Sequence, residues 1–529
     1  MKKLKFYWVL IFIFLIGLSG CGGDSSNSSD AQALIDDNTP DVTGSTDTGG
    51  TATIPILTGL VDLGDLFYPD GDQWYFTRPV TIHDNDLVVG TSNNGWPSRG
   101  AFIWDPTTDL MDFQGIHTQP YNDYYFRKVV DPVDPLIGFY KSVTVDLNAN
   151  EEIIGNSVAG PDKKRAFIIQ DGVFIDLPPI LDTKFPDFEI RSFSEANDIN
   201  EQGEVVLTLD DEYGRHAYYW DGQSYHTVLL TTDEVDEEDA TIPLTTWTVT
   251  VPTYLPLARI VGEDAAAVAM NESGHVAINS GNTAIYYDLN WDVFEPLNHL
   301  PNYNPATVST VAIDINDSKY TNHDGIPDAH IIGQTWDDTN PSTSDLFERE
   351  RLNLSLALIK TSTTVRGFFW DGGAMYPVDH LGGGTSVTTD INDNDQVVGA
   401  ATTDSGAYHA ILWTLDPATE KGVIRDLGTL GGTNSFATAI NEAGQVTGFS
   451  ETGELYSEQG VVVPVFHAFL WDNGTMYDLG THDYFYAYPF TPPYPFSVGV
   501  DINASGKVIG SSITINNHHR GFYLDSELP

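Results

Sequence analysis

One pattern recurs eight times along the chain: a branched apolar residue, Asn, a short polar turn, a Val/Ile-rich strand often ending in Gly, then a five-residue strand usually closing on an aromatic. Units this small cannot bury an apolar face alone, so a period of this kind dictates a modular fold in which neighbours stack. The Asn segments are Ile82-His83, Leu147-Asn148, Ile199-Asn200, Met270-Asn271, Ile315-Asn316, Ile391-Asn392, Ile440-Asn441 and Ile502-Asn503, with His83 the single departure. Gly203, Gly274, Gly444 or Gly506 follows shortly, or else an Asn, Asp or Glu; Gly, Asn and Asp suit tight turns because they tolerate positive φ or bond nearby backbone. Runs such as Leu87-Val88-Val89-Gly90 and Val397-Val398-Gly399 are of strand type. Next comes Ala or Gly with three large residues, as in Arg165-Ala166-Phe167-Ile168-Ile169 and His467-Ala468-Phe469-Leu470-Trp471, a strand buried on both faces with a small residue making room for a neighbour. Asp-Gly turns, as at Asp371-Gly372, lead into a further strand such as Met476-Tyr477-Asp478-Leu479-Gly480.

Each unit therefore supplies about four strands, the content of one propeller blade. The expected fold is an all-β propeller, with eight blades favoured and seven the alternative if one degenerate unit is absorbed elsewhere; the units around Asn271 and Asn316 match least well. Successive Asn positions lie about 45 to 76 residues apart. Loops absorb the difference. The final unit stops after its Arg520–Leu524 strand, whereas Leu60-Val61-Asp62-Leu63-Gly64 stands alone near the start. Pairing the two would close the ring and remove an open edge.

The run Asp426-Leu427-Gly428-Thr429-Leu430-Gly431-Gly432-Thr433-Asn434-Ser435-Phe436-Ala437-Thr438-Ala439-Ile440-Asn441, continuing to His467-Ala468-Phe469-Leu470-Trp471, resembles the HAF family of extracellular repeats. The match is tightest from about residue 380 to 480 and loosens toward the N-terminal half. The resemblance implies a secreted or surface location and carries no catalytic residue.

Lys2, Lys3 and Lys5, the apolar run from Phe6 to Leu18, and Leu18-Ser19-Gly20-Cys21 have the layout of a secretory signal. The last four residues resemble the lipobox of bacterial lipoproteins, which implies cleavage after residue 20, lipid on Cys21 and an anchored chain. Gly22 and Gly23 lean toward the outer membrane, with the domain facing the periplasm or the cell surface. Residues 21–53 are a low-complexity tether that cannot offset its ordering entropy, and residues 54–529 form the propeller. Cys21 is the only cysteine, which excludes intrachain disulfides and thiolate metal sites. The net charge is -51, with no basic cluster beyond Lys163-Lys164-Arg165, so nucleic acid is excluded as a partner.

Candidate chemistry is sparse. His216, His409, His467, Arg165, Arg366 or Arg520 opens the Ala/Gly strand in six of eight units; such regularity points to structural pairing with a nearby Asp of Asp-Ile-Asn or Asp-Leu-Gly. Asn322, Asp324 and Asp328 resemble the second half of an Asp-rich calcium loop, although Tyr320 stands where the first ligand belongs. Calcium is the one cofactor the sequence admits. His518 and His519 alternate faces on a strand and do not make a metal pair. Recognition belongs to irregular insertions on the scaffold. These are Tyr121, Tyr124, Tyr125 and Phe126; the stretch from Thr231 to Leu257 around Trp247; and the aromatic, Pro-rich run with Tyr484, Tyr486, Tyr488, Phe490, Tyr494 and Phe496, read as a stacking surface for a glycan or partner chain. The expected function is a non-enzymatic binding or scaffolding module for a protein or glycan. A secreted polysaccharide hydrolase or lyase is the alternative.

Overall fold

The computed structural model describes residues 54–57, 60–63, 77–93, 99–108, 110–113, 141–160, 163–177, 193–211, 214–231, 246–257, 264–301, 303–304, 307–318, 329–337, 365–458, 461–481, 496–513 and 519–525. They form strands throughout, as the β-branched and aromatic runs require. Antiparallel pairing sorts the strands into sets of four. Unit one is β2 (Thr77–Ile82), β3 (Val88–Asn93), β4 (Arg99–Asp105) and β5 (Leu110–Phe113). Unit two is β6 (Lys141–Leu147), β7 (Ile153–Gly160), β8 (Lys163–Gln170) and β9 (Val173–Leu177). Unit three is β10 (Ser194–Ile199), β11 (Val205–Asp211), β12 (Gly214–Trp220) and β15 (Leu255–Pro256). Unit four is β16 (Ala265–Met270), β17 (His275–Ser280), β18 (Thr283–Asp288) and β19 (Val293–Pro296). Unit five is β20 (Val308–Ile315), β21 (Ile331–Asp337), β22 (Val365–Trp370) and β23 (Met375–Pro377). Unit six is β24 (Gly382–Ile391), β25 (Gln396–Thr403), β26 (Tyr408–Asp416) and β27 (Lys421–Gly428). Unit seven is β28 (Ser435–Ile440), β29 (Val446–Glu458), β30 (Val461–Asp472) and β31 (Thr475–Gly480). The last set is β32 (Phe496–Ile502), β33 (Val508–Ile513) and β34 (His519–Leu524), and its fourth member is β1 (Leu60–Asp62), with Leu60 opposite Leu524 and Asp62 opposite Phe522. The units around Asn271 and Asn316, weakest in sequence, form complete four-stranded sets.

The Thr231–Leu257 stretch is not an irregular excursion. Tyr225–Thr231 (β13) and Thr246–Pro252 (β14) pair as a separate hairpin between β12 and β15.

The first strand of each set packs against the first strand of the next, and β32 packs in the same way against β2. Between units lie apolar clusters, such as Ile332, Phe369, Ile391, Val397 and Trp413 at the joint of units five and six. Every first strand carries a β-bulge against the second, as between Thr388 and Asp390 or Ala437 and Ala439. The bulge explains the recurrent Gly. A Cβ on Gly399 would stand 2.0 Å from the Val387 carbonyl oxygen, and one on Gly448 2.0 Å from that of Phe436 and 2.9 Å from the Phe469 ring. The first strand thus presses close to the second, and the aromatic of the third covers the space a side chain would need.

One cluster differs from the rest because it spans four units. It joins Val311, Val387 and Phe436 of first strands to Trp336, Tyr408, Phe449, Phe466 and Phe496, together with Val463 of the long β29–β30 hairpin. That hairpin runs past the body of its sheet, and Tyr456 meets Phe496 edge-on.

Candidate functional site

The Asn turns build a polar circuit at one end of the units. At Asn148, Asn200, Asn271, Asn392 and Asn441 the side-chain oxygen accepts backbone N–H groups two and four residues on, for example from Ala443 and Gln445 to Asn441 at 3.1 and 2.9 Å, whereas Asn316 accepts the N–H of His330 at 3.0 Å. The side-chain amide then donates to the corresponding carbonyl of the following unit. Asn148 reaches Asn200, Asn271 reaches Asn316, Asn316 reaches Asn392, Asn392 reaches Asn441 and Asn441 reaches Asn503, at 2.8 to 3.0 Å. Asn503 makes the same bond to the carbonyl of His83 at 3.1 Å, and because the acceptor is backbone the departure from Asn does no harm there. The residue after the bulge adds a second link. Asp198, Asp390 and Asp501 accept the backbone N–H of Met270, Ile440 and Ile82, at 2.8 to 3.0 Å.

Immediately after the Asn sits an acid in most units, and each joins the backbone before it. The N–H of Ala149 donates to Glu201, that of Glu201 to Glu272, Glu272 to Asp317, Asp317 to Asp393, Asp393 to Glu442, and Ala504 to Asp84. Where unit two offers Ala149 instead of an acid, Glu201 also meets the His83 ring at 3.0 Å. These carboxylates crowd one another. Burial first, then the charges of Glu201, Asp317 and Asp198, push Glu272 up to about 7 against the pull of the Glu201 N–H. Burial and Glu442, with Asp317 and Asp395, push Asp393 up to about 6. The row is a concentration of negative charge in which the Glu272 and Asp393 protons are held near neutrality.

At the opposite end the repeated cations meet Asp, as their regularity implied. Arg165 forks onto Asp176 at 2.9 and 2.8 Å, and Arg520 onto Asp62 of the N-terminal strand. His409 Nδ1 meets Asp426 at 2.8 Å, and His467 Nδ1 meets Asp478 at 2.8 Å. The partner is the Asp of an Asp-Leu pair in the outer strand, followed by Gly after Asp62, Asp426 and Asp478 and by Pro178 after Asp176. Burial would raise Asp426, but the hydrogen bonds from His409 and the Gly428 N–H outweigh it and hold the carboxyl low. Opposite Phe368 and Tyr218, where the matching position would fall, stand Pro377 and Pro256, so no Asp occupies that place in the units of Arg366 and His216. Ser435 and Ser497 staple successive units beside these pairs, each accepting the N–H of the preceding Ala410 or Ala468 at 2.8 Å.

The long connections 114–140, 178–192, 338–364 and 482–495 all join strand ends at this second end. Tyr121, Tyr124, Tyr125 and Phe126, and Tyr484, Tyr486, Tyr488, Phe490 and Tyr494, lie outside the described residues, as do Cys21, Asn322, Asp324 and Asp328. Phe496 corrects the expectation for its loop. It is 2% exposed, opens β32 and belongs to the four-unit cluster, so it has no free face for a ligand. Among the described residues no group of three His, Cys, Asp or Glu is placed to hold a metal. No described helix is long and apolar enough to cross a membrane.

No protein-family model matches the chain. No curated protein matches it. Among solved structures, a chain of the mitotic checkpoint complex is similar at 9% identity and a TM-score of 0.37, over 93% of this chain and 100% of that one. TolB from Acinetobacter baumannii is similar at 10% identity and TM-score 0.29, over 65% of this chain and 66% of that one. A prolyl endopeptidase is similar at 10% identity and TM-score 0.36, over 75% of this chain and 47% of its own length. The propeller-like description of the fold rests on the strand pairing given above.

Proposed function

We propose that the chain is an eight-bladed β-propeller of the HAF-repeat type, closed by β1, lipid-anchored through Cys21 at the bacterial outer membrane, and serving as a non-enzymatic binding or scaffolding module. Support for the blade count and closure comes from the joint between the last unit and the first. Asp501 and Asn503 make there the bonds that Asp390, Asn392 and their counterparts make at other joints. In this reading residues 1–20 are the signal and 21–53 the tether.

The observation that carries the binding role is the division of labour within the unit. Repeated polar side chains are bonded as framework, while the connections 114–140, 178–192, 338–364 and 482–495 join strand ends at one end of a rigid scaffold. The aromatic connection with Tyr484, Tyr486, Tyr488, Phe490 and Tyr494 is the ligand element, for a protein or glycan. A calcium ion at Asn322, Asp324 and Asp328 would be structural.

Capture of envelope proteins and glycans on immobilised protein tests this. Wild type should retain a ligand that a variant with 484–494 replaced by a Gly/Ser linker loses, Phe496 being kept to preserve the core. Retention of every captured ligand by that variant would refute the assignment, and turnover of a polysaccharide by the purified protein would favour a hydrolase or lyase.

A further inference from the structure

Most exposed apolar side chains in the described residues are scattered, but three fall within four consecutive residues, 291 to 294, at the outer strand of unit four, and a fourth stands on the outer strand of unit three. Trp291 is 66% exposed, Val293 54%, Phe294 51% and Leu255 46%. Seven consecutive residues, Asn290 to Pro296, are exposed, and their conformation is fixed. Asp288 Oδ1 accepts the N–H of Asn290 at 2.8 Å and that of Trp291 at 3.3 Å, and the Asn290 amide donates to the Ser273 carbonyl at 2.8 Å. Trp291 is therefore presented by an anchored turn and loses little freedom on binding.

Register places Phe294 and Leu255 on the facing sides of neighbouring sheets. Phe294 pairs with Tyr287 and Leu255 pairs with Tyr219, so each lies on the side of its sheet that contributes to the cluster shared by units three and four. β19 is also the last strand of its sheet, so its outer edge has no strand partner among the described residues. The molecule already uses an edge of this kind: the N-terminal segment lies along β31, where Leu57 N–H donates to the Asp478 carbonyl at 2.9 Å and Asp478 N–H to that of Pro55 at 3.0 Å.

Charge selects the occupant. From residue 260 to 318 the chain contains no Lys or Arg, and Asp288, Asp292 and Glu295 stand in or beside the exposed hairpin. Aromatic faces bordered by carboxylates attract Lys and Arg, whose apolar stems also cover exposed rings. We propose that the outer edge of unit four, with Trp291, Phe294 and Leu255, docks an extended segment of a partner protein in which Lys or Arg alternates with apolar residues. The segment lies beside β19, sets its apolar side chains against Phe294 and points its cations at Asp292, Glu295 and the Trp291 ring. This surface is separate from the loop-bearing end and does not depend on it.

The test titrates full-length protein with a fluorescent peptide alternating Lys and Leu, and with its Glu-for-Lys counterpart. Wild type should bind the Lys peptide at least ten-fold more tightly than Trp291→Ala/Phe294→Ala, and several-fold more tightly than Asp292→Asn/Glu295→Gln. Binding should weaken with salt, and the Glu peptide should not bind. All four substitutions are at exposed positions, and Asn retains both the turn conformation at 292 and an acceptor for Tyr287, so unchanged melting curves establish that the variants fold. Equal affinity of the Lys peptide for wild type and both variants would show general attraction to an acidic protein and overturn the proposal. So would binding of a neutral oligosaccharide at Trp291 in place of the peptide, or self-association abolished by Trp291→Ala.

Discussion

Replacing Glu272 by Gln should stabilise the protein at pH 8 and do nothing at pH 4.5. The carboxyl is held near 7, against an ordinary 4.5, by burial and by Glu201, Asp317 and Asp198. A raised folded-state value means the folded protein binds this proton more tightly than the unfolded chain. The resulting stability is fully present below about 4.5 and is lost as pH rises through about 7. At 1.36 kcal/mol per pH unit the full difference is roughly 3 kcal/mol, and solvent screening of a half-buried group reduces it to about 1–2 kcal/mol. Gln mimics the protonated form at every pH and keeps one acceptor for the Glu201 N–H, which now bonds the two carboxylate oxygens at 3.2 and 3.0 Å. With an unfolding entropy of about 2 cal/mol/K per residue, a domain of this size gains about 1–2 °C in Tm. Scanning calorimetry at pH 8 and pH 4.5 on the same preparations reads the difference. A shift of equal size at both pH values would refute the argument, because it would show that the substitution acts through packing and not through charge.

Gly448→Ala should cost about 2–4 kcal/mol, because the new Cβ has only the Phe436 carbonyl oxygen and the Phe469 ring to meet; a denaturant midpoint near wild type would contradict the close approach. His467→Ala should lower stability by only about 0.5–1 kcal/mol, since its pair with Asp478 is partly exposed, and should leave any captured ligand bound. Loss of the ligand with unchanged melting would make His467 a binding residue. Asp390→Ala should cost about 1–3 kcal/mol by leaving the Ile440 N–H without its acceptor at a unit joint, and hydrogen exchange at Ile440 should accelerate. Calcium added to chelator-treated protein should raise Tm if Asn322, Asp324 and Asp328 bind it; an unchanged melt and a flat calorimetric titration would dismiss the site.

The sequence made the framework legible to different depths. Four-stranded units and the pairing of Arg165, His409, His467 and Arg520 with Asp could be read because Arg or His opening the Ala/Gly strand and an Asp before Leu both recur as motifs along the chain. The second task of the Asn was hidden, because its amide reaches a backbone carbonyl in another unit and leaves no side-chain partner to recognise. The acidic row was hidden for a related reason: among 75 acids, nothing local marks those whose acceptor role is set by the neighbouring unit's backbone. Phe496 was misplaced since an aromatic run does not show where a loop ends and a strand begins. The β13–β14 hairpin was missed as an irregular insertion, although the alternation Thr246-Trp247-Thr248-Val249-Thr250-Val251 has the two-residue period of a strand.

Closure of the ring through the N-terminal strand is tested most directly by a cross-link. With Cys21→Ser, the double substitution Leu60→Cys/Leu524→Cys leaves two thiols at positions paired across β1 and β34, where opposed Cα atoms fall within disulfide range. Mild oxidation should give a monomeric, circularised species of altered mobility on a non-reducing gel and a higher Tm, whereas the out-of-register combination Leu60→Cys/Arg520→Cys should not. Disulfide-linked dimers only, or equal cross-linking in both double variants, would contradict the closed ring.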